Sequence, residues 1–141
     1  KKGRLTKKAG FNLLHKKRWV GDHRFLHGEI KENDVLMESG WEENFFIISL
    51  KNQTIPHFVP TADNGDPRLY LYIKFFNEAE EEVDNAKEII APQQETALPY
   101  NKKIQYQYLL FDKILKSKVE LKYQPAWSKE KTIVRTETVR R

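Results

Sequence analysis

Alternation of apolar and polar residues recurs along this chain and predicts strands more than helices. The clearest case is Arg68 to Phe76, where Leu69, Leu71, Ile73 and Phe75 share one face and Tyr70, Tyr72 and Lys74 the other. Just before it, Asp63-Asn64-Gly65-Asp66 carries the Asn-Gly step that favours the positive φ values of a tight turn. Asn44 to Leu50 holds the β-favouring residues Phe45, Phe46, Ile47, Ile48 and Leu50. Thr54 to Val59 offers a second short strand after Lys51-Asn52-Gln53, so this stretch reads as a hairpin. From Lys2 to Lys8 and from His15 to Ile30 the alternation is looser and is broken at Gly10, Gly21 and Gly28, which suits short strands joined by turns.

At Asn77 the period changes. Asn77 is placed to cap a helix, and Glu78, Glu80, Glu81 and Glu82 fill its first turns, where the helix dipole favours negative charge. Ala79, Val83, Ala86, Ile89 and Ile90 make an apolar stripe, and Pro92 stops it, so the pattern predicts an acidic amphipathic helix near residues 78–90. Pro92 to Asn101 has no periodicity and reads as a linker or long loop. Tyr106 to Leu115 fits helix or strand, Val119 to Tyr123 alternates, and Thr132 to Val139 is rich in Thr and Val, which gives two or three further strands. The expected class is mainly β (β-rich α+β): an antiparallel barrel or sandwich with one acidic helix. Residues 1–91 form a module closed by that helix, 92–101 connect, and 102–141 add a basic β extension packed on the same domain.

Composition narrows the chemistry. The 141 residues are 39% hydrophobic and contain no cysteine, which excludes disulfide scaffolds, thiol nucleophiles and thiolate metal sites. Apolar runs such as Phe45 to Ile48 are far short of the about 20 residues a membrane span needs. The start carries neither Met nor an apolar signal core, as in an internal fragment or a processed chain. Cytoplasmic localisation, with peripheral attachment to a membrane, is the expectation. Charge is segmented beneath the net +5: residues 1–31 carry ten Lys/Arg against two acids (+8), 32–100 four against fourteen (−10), and 101–141 eleven against four (+7). The two basic ends are the natural polyanion contacts, unless opposite charges interleave on the folded surface.

Catalytic and metal chemistry find little support. His23 and His27 lie four apart but lack a third ligand at recognisable spacing, and Asp63-Asn64-Gly65-Asp66 lacks the rest of a calcium loop. No serine sits in a nucleophile elbow, and the glycines at 3, 10, 21, 28, 40 and 65 do not cluster as phosphate loops do. Asn52-Gln53-Thr54 is a formal glycosylation sequon. No catalytic residue, metal or cofactor is assigned, and the chain is expected not to be an enzyme.

The sharpest local feature is Lys7-Lys8, an interruption at 9–14, then His15-Lys16-Lys17-Arg18-Trp19-Val20. Two antiparallel strands flanking a loop at 10–13 bring Lys8, Lys16 and Arg18 to one concave face, where lysine point charges and an arginine fork suit clustered phosphates. The ligand-binding residues are therefore Lys7, Lys8, Lys16, Lys17 and Arg18. With Gly3 and Leu5 before it, this segment resembles the opening of a pleckstrin-homology domain, and the resemblance covers residues 1–91. It implies a bent barrel capped by a helix and a phosphoinositide headgroup near Lys8, Lys16 and Arg18. A tryptophan usual in that closing helix is replaced here by Val83.

A second resemblance lies at the other end. Asn101-Lys102-Lys103-Ile104, Tyr108 to Lys113 and Ser117 to Pro125 look like an early strand pair of circovirus-type jelly-roll capsid proteins, which implies nucleic-acid binding by basic arms and a place in a virion.

The leading reading is a non-enzymatic module that engages an anionic lipid headgroup, another phosphorylated ligand or a membrane surface through the basic hairpin. The alternative is a nucleic-acid-binding capsid or nucleoprotein, with Trp19, Tyr106, Tyr108, Tyr123 and Trp127 as stacking surfaces if exposed. A structural subunit that contacts proteins through its acidic helix is the third. Under the headgroup reading, Lys8→Ala, Lys16→Ala and Arg18→Ala each weaken co-sedimentation with phosphoinositide liposomes, while neutralising Lys129, Lys131, Arg140 and Arg141 changes little. Nucleic-acid binding predicts the opposite balance.

Overall fold

The computed structural model describes residues 30–61, 65–111 and 113–141, together with the backbone of 2–3 and 18–19. Its strands are β1 (Lys2–Gly3), β2 (Arg18–Trp19), β3 (Val35–Glu42), β4 (Phe45–Asn52), β5 (Arg68–Phe76), β6 (Glu82–Ile90), β7 (Lys103–Leu109), β8 (Lys116–Gln124) and β9 (Thr132–Arg140). β1 and β2 pair antiparallel, Lys2 opposite Trp19 and Gly3 opposite Arg18. The other seven make two antiparallel sheets, ordered β3-β4-β7 and β6-β5-β8-β9.

The chain is mainly β, as the alternation predicts, and its two sheets pack into an open sandwich rather than closing into a barrel. Hairpins β3–β4, β5–β6 and β8–β9 stay within one sheet, while the chain crosses between sheets after β4, β6 and β7. This is the layout of an immunoglobulin-like sandwich. The core follows from period-two patterning. Phe46, Ile48 and Leu50 of β4 face Leu71, Ile73 and Phe75 of β5 and Val119 and Leu121 of β8, all fully or almost fully buried. At one end the rings interlock: Phe46 and Phe75 meet edge to face at 5.4 Å, and Trp41 lies 5.0 Å from Phe46 and 6.2 Å from Phe75.

Polar contacts join the sheets along both sides. Ser39 Oγ of β3 donates to Glu137 Oε2 of β9 at 2.7 Å. Tyr108 OH of β7 donates to Glu88 Oε1 of β6 at 2.9 Å. Arg141 lies over the Trp41 ring at 4.5 Å and donates to the Glu43 carbonyl and to Asn44 Oδ1, which pins the β3–β4 turn to the end of β9.

The expected acidic helix at 78–90 is absent. Residues 77–81 form a turn, and Glu82–Ile90 is strand β6, in register with β5 from Leu69–Ile90 to Phe75–Asp84. Asn77 does cap, but it caps a turn: its Oδ1 accepts the Glu81 N–H at 3.0 Å, and Glu80 sits in the left-handed region at φ 62°, which a continuing helix does not permit. Ala86 and Ile90, four apart, fit both periods. What decides is β5, whose backbone groups need partners on both sides, and β6 supplies one row of them.

The expected second strand at 54–59 is instead a loop with one isolated bridge, Val59–Leu98, and the hairpin partner of β4 is β3. Asn52 shapes that loop. Fully buried, it donates from Nδ2 to the carbonyls of Ile55 and His57 and accepts the Ile55 N–H. The 92–101 stretch holds a short 3-10 turn, Pro92–Gln94, and bridges to Asn52 and Val59. Beyond it, β7 pairs with β4 and β8 with β5, so both sheets draw strands from either side of this connection.

Burial raises the phenols of Tyr106, Tyr108 and Tyr123 above the usual tyrosine value, and the neighbouring Glu88 adds to the shift at Tyr106 and Tyr108. The folded state therefore keeps these protons after the unfolded chain, ionising near about pH 10, has released them. Stability is expected to fall as pH rises through that value. Urea denaturation from neutral to strongly alkaline pH checks this, and Tyr108→Phe should flatten the decline.

Candidate anion-binding face

The inner faces of the strands are spent on the core, so any ligand chemistry on the sheets lies on their outer faces. Register aligns the outer face of the four-stranded sheet in rows: Ile89-Tyr70-Lys122-Ile133, Lys87-Tyr72-Glu120-Thr136, Asn85-Lys74-Lys118-Thr138 and Glu82-Phe76-Lys116-Arg140. Lysine recurs in every row.

Its centre is a tyrosine pair. Tyr70 and Tyr72 stack at 5.9 Å with an interplanar angle of 16°. The ammoniums of Lys122, Lys131 and Lys87 lie 5.3, 5.5 and 5.7 Å from the Tyr72 ring centroid, and Lys131 is 4.1 Å from that of Tyr70. Lys131 also donates to Tyr72 OH at 2.8 Å, and this bond is the main reason its pKa is raised. Tyr70 OH donates to Gln124 Oε1 at 3.0 Å. The amide thus anchors Tyr70, and the stacked rings are the surface over which the three cations gather.

Neutralisation is uneven along the face. Toward the β5–β6 turn, Lys74 pairs with Glu82 at 3.4 Å, Lys116 with Glu80, and Lys113 with Glu78 at 3.8 Å. The Lys116 contact holds the Glu80 carboxyl below its usual range. Midway, Glu120 serves both Lys118 at 3.0 Å and Lys122 at 3.4 Å, and its pKa is lowered chiefly by the Lys118 bond. Toward the β8–β9 connection, Lys87 and Lys131 form no ion pair with a described carboxylate. Three cations around one ring, with one shared carboxylate, leave a local excess of positive charge suited to an anion.

The opposite sheet is different. A depression of about 310 Å³, lined by Leu36, Glu38, Ser49, Lys51, Asn101 and Lys103, is crossed by a Lys103–Glu38 ion pair at 3.2 Å, which partners two of its three charged side chains.

Of the residues singled out from sequence, Lys7, Lys8, Lys16 and Lys17 lie outside the described residues, as do His15, His23 and His27. Arg18 is placed by its backbone in β2, opposite Gly3. Tyr106 and Tyr108 are half-buried on the inner side and Tyr123 is buried, so none of the three offers an open stacking face, whereas Trp127 is exposed. The Asn52 sequon is closed, because its Nδ2 is buried and committed to two carbonyls. Among the described residues no group of three His, Cys, Asp or Glu is placed to hold a metal ion, and no helix is long and apolar enough to cross a membrane.

The lysine–tyrosine cluster itself was half visible in sequence. Alternation puts Tyr70, Tyr72 and Lys74 on one face and Lys118 and Lys122 on another; only strand pairing makes those faces one.

No family model matches the chain, and no curated protein matches it in sequence. Among solved structures it is similar to a penta-heme cytochrome c552 from Thermochromatium tepidum, with a TM-score of 0.59 and 12% identity over 77% of this chain. The chain spans 40% of the length of that cytochrome chain. At this identity the likeness is one of fold.

A cation over a tyrosine contributes about 0.5–1 kcal/mol at an exposed site, and repulsion among the three ammoniums offsets it. Lys87→Gln and Lys131→Gln are therefore expected to change unfolding stability by less than about 1 kcal/mol, which denaturant titration reads directly. A larger loss would make these lysines part of the scaffold rather than of a binding surface.

Proposed function

We propose that the chain is a non-enzymatic binding module that engages a phosphorylated or otherwise polyanionic ligand through the lysine-rich outer face of its four-stranded sheet. The basic N-terminal residues Lys7, Lys8, Lys16, Lys17 and Arg18 add a second contact in this reading. One observation carries it: three ammoniums gathered around Tyr72 with a single shared carboxylate. An arrangement that costs repulsion in the free protein gains most when an anion arrives. Lysine point charges on a stiff sheet suit phosphate oxygens presented in varied orientations.

A second reading is a structural subunit of a larger assembly. In that case the same cationic face would meet an acidic protein surface.

Calorimetric titration with inositol hexakisphosphate separates these. Binding is expected to weaken steadily with salt. Replacing Lys87, Lys122 and Lys131 together by Gln should lower affinity by at least about tenfold and flatten the salt dependence. The same loss from replacing Lys8, Lys16 and Arg18 alone would move the ligand to the N-terminal segment, and no binding at all would favour the subunit reading.

A further inference from the structure

The unneutralised end of the lysine face carries two of the molecule's exposed large apolar side chains next to its cations. Ile133 pairs with Lys122 in register, shares its outer face, and is 62% exposed. Trp127, in the β8–β9 connection that also carries Lys129 and Lys131, is 64% exposed. Ile89 completes the row from the far side of Tyr70. A strand position facing solvent, flanked by lysines, ordinarily carries a polar residue, and isoleucine there gains nothing from water.

The geometry points to the β8–β9 end of this face as a membrane-docking surface, with Lys87, Lys122 and Lys131 meeting anionic headgroups while Ile133 and Trp127 enter the interfacial layer. This rests on the polyanion reading and names its ligand as an anionic bilayer. The composition of the surface selects that ligand. A hydrophilic polyanion such as nucleic acid would use the cations and find stacking faces, but Tyr70 is only 6% exposed beneath its lysines, and Ile133 has no π-face to offer a base. A bilayer uses both halves: headgroup charge for the lysines, the glycerol and upper acyl region for the aliphatic and indole side chains. Tryptophan is enriched at that depth for the same reason. Charge asymmetry also orients the contact. At the far end of the sheet the β5–β6 turn has Glu78 and Glu80 matched by Lys113 and Lys116 and offers an anionic surface no excess of cations, so the module meets the membrane by its β8–β9 end.

The absence of cysteine makes the test clean, since a single introduced thiol takes a fluorophore at one place. An environment-sensitive probe on Ile133→Cys should shift to the blue with vesicles of phosphatidylcholine and phosphatidylserine and stay unchanged with phosphatidylcholine alone. The same probe on Phe111→Cys, exposed in the β7–β8 connection at the opposite end of β8, should stay silent with both. Lys122→Gln and Lys131→Gln should each weaken vesicle binding by about fivefold. Ile133→Ser should weaken it by about tenfold while leaving inositol hexakisphosphate binding unchanged. Polyphosphate binding with a silent probe at 133 overturns the membrane assignment and leaves the polyanion reading standing. Displacement of vesicles by a single-stranded oligonucleotide that depends on Trp127 but not on Ile133 overturns it in favour of nucleic acid. Failure of both vesicles and polyphosphate to bind overturns both.

Discussion

Everything in this molecule depends on the apolar seam between β4 and β5. Phe46, Ile48 and Leu50 on one sheet and Leu71, Ile73 and Phe75 on the other are excluded from water only if the sheets stay face to face. Full burial of each such side chain is worth about 1.5–3 kcal/mol, and together they outweigh any polar contact in the structure. The edge-to-face Phe46–Phe75 contact, with Trp41 against both, fixes how the sheets sit on one another at that end. Ser39–Glu137, Tyr108–Glu88 and Arg141 over Trp41 then close the sides of a stack that the seam has already positioned.

That seam also decides what the outer faces can be. With β5 committed inward through its odd-numbered residues, Tyr70, Tyr72 and Lys74 have to point outward, and β8 brings Lys118 and Lys122 beside them by register alone. A slip of one residue would carry leucines outward and tyrosines inward. Position and chemistry of the cationic face are thus consequences of core packing, which is why neutral replacements of its lysines are not expected to disturb the fold.

Legibility in the sequence follows the same division. Period-two runs such as Arg68 to Phe76 announce themselves because burial on one face and exposure on the other is a local constraint, and the observed β5 has those bounds. β6 was hidden. Its glutamates and alanine satisfy helical capping and a 3.6-residue stripe as well as they satisfy a strand, and the deciding factor, an unsatisfied edge of β5, lies outside the segment. β3 was hidden for the opposite reason, because Glu38, Ser39 and Gly40 dilute the alternation of an edge strand whose pairing with β4 supplies the order. The cationic cluster needed three strands and one connection, from Lys87 to Lys131, to be brought around a single ring, and no linear pattern encodes that.

Charge segmentation along the chain has a different meaning in space. The acidic middle does not stand apart from the basic end; Glu78 and Glu80 reach Lys113 and Lys116, so the two segments cancel where the β5–β6 turn meets β8, while Glu82 pairs with Lys74 of its own segment. Interleaving therefore holds for one half of the face and fails for the other. Lys87 and Lys131 are left over because β6 turns from acidic to apolar as it runs toward Ile90, and no carboxylate from it reaches the outer face there. An electrostatic gradient along the sheet results, neutral at one end and cationic at the other. An anion bound there relieves the repulsion among the gathered ammoniums, so even contacts of modest strength at this end add to a net gain.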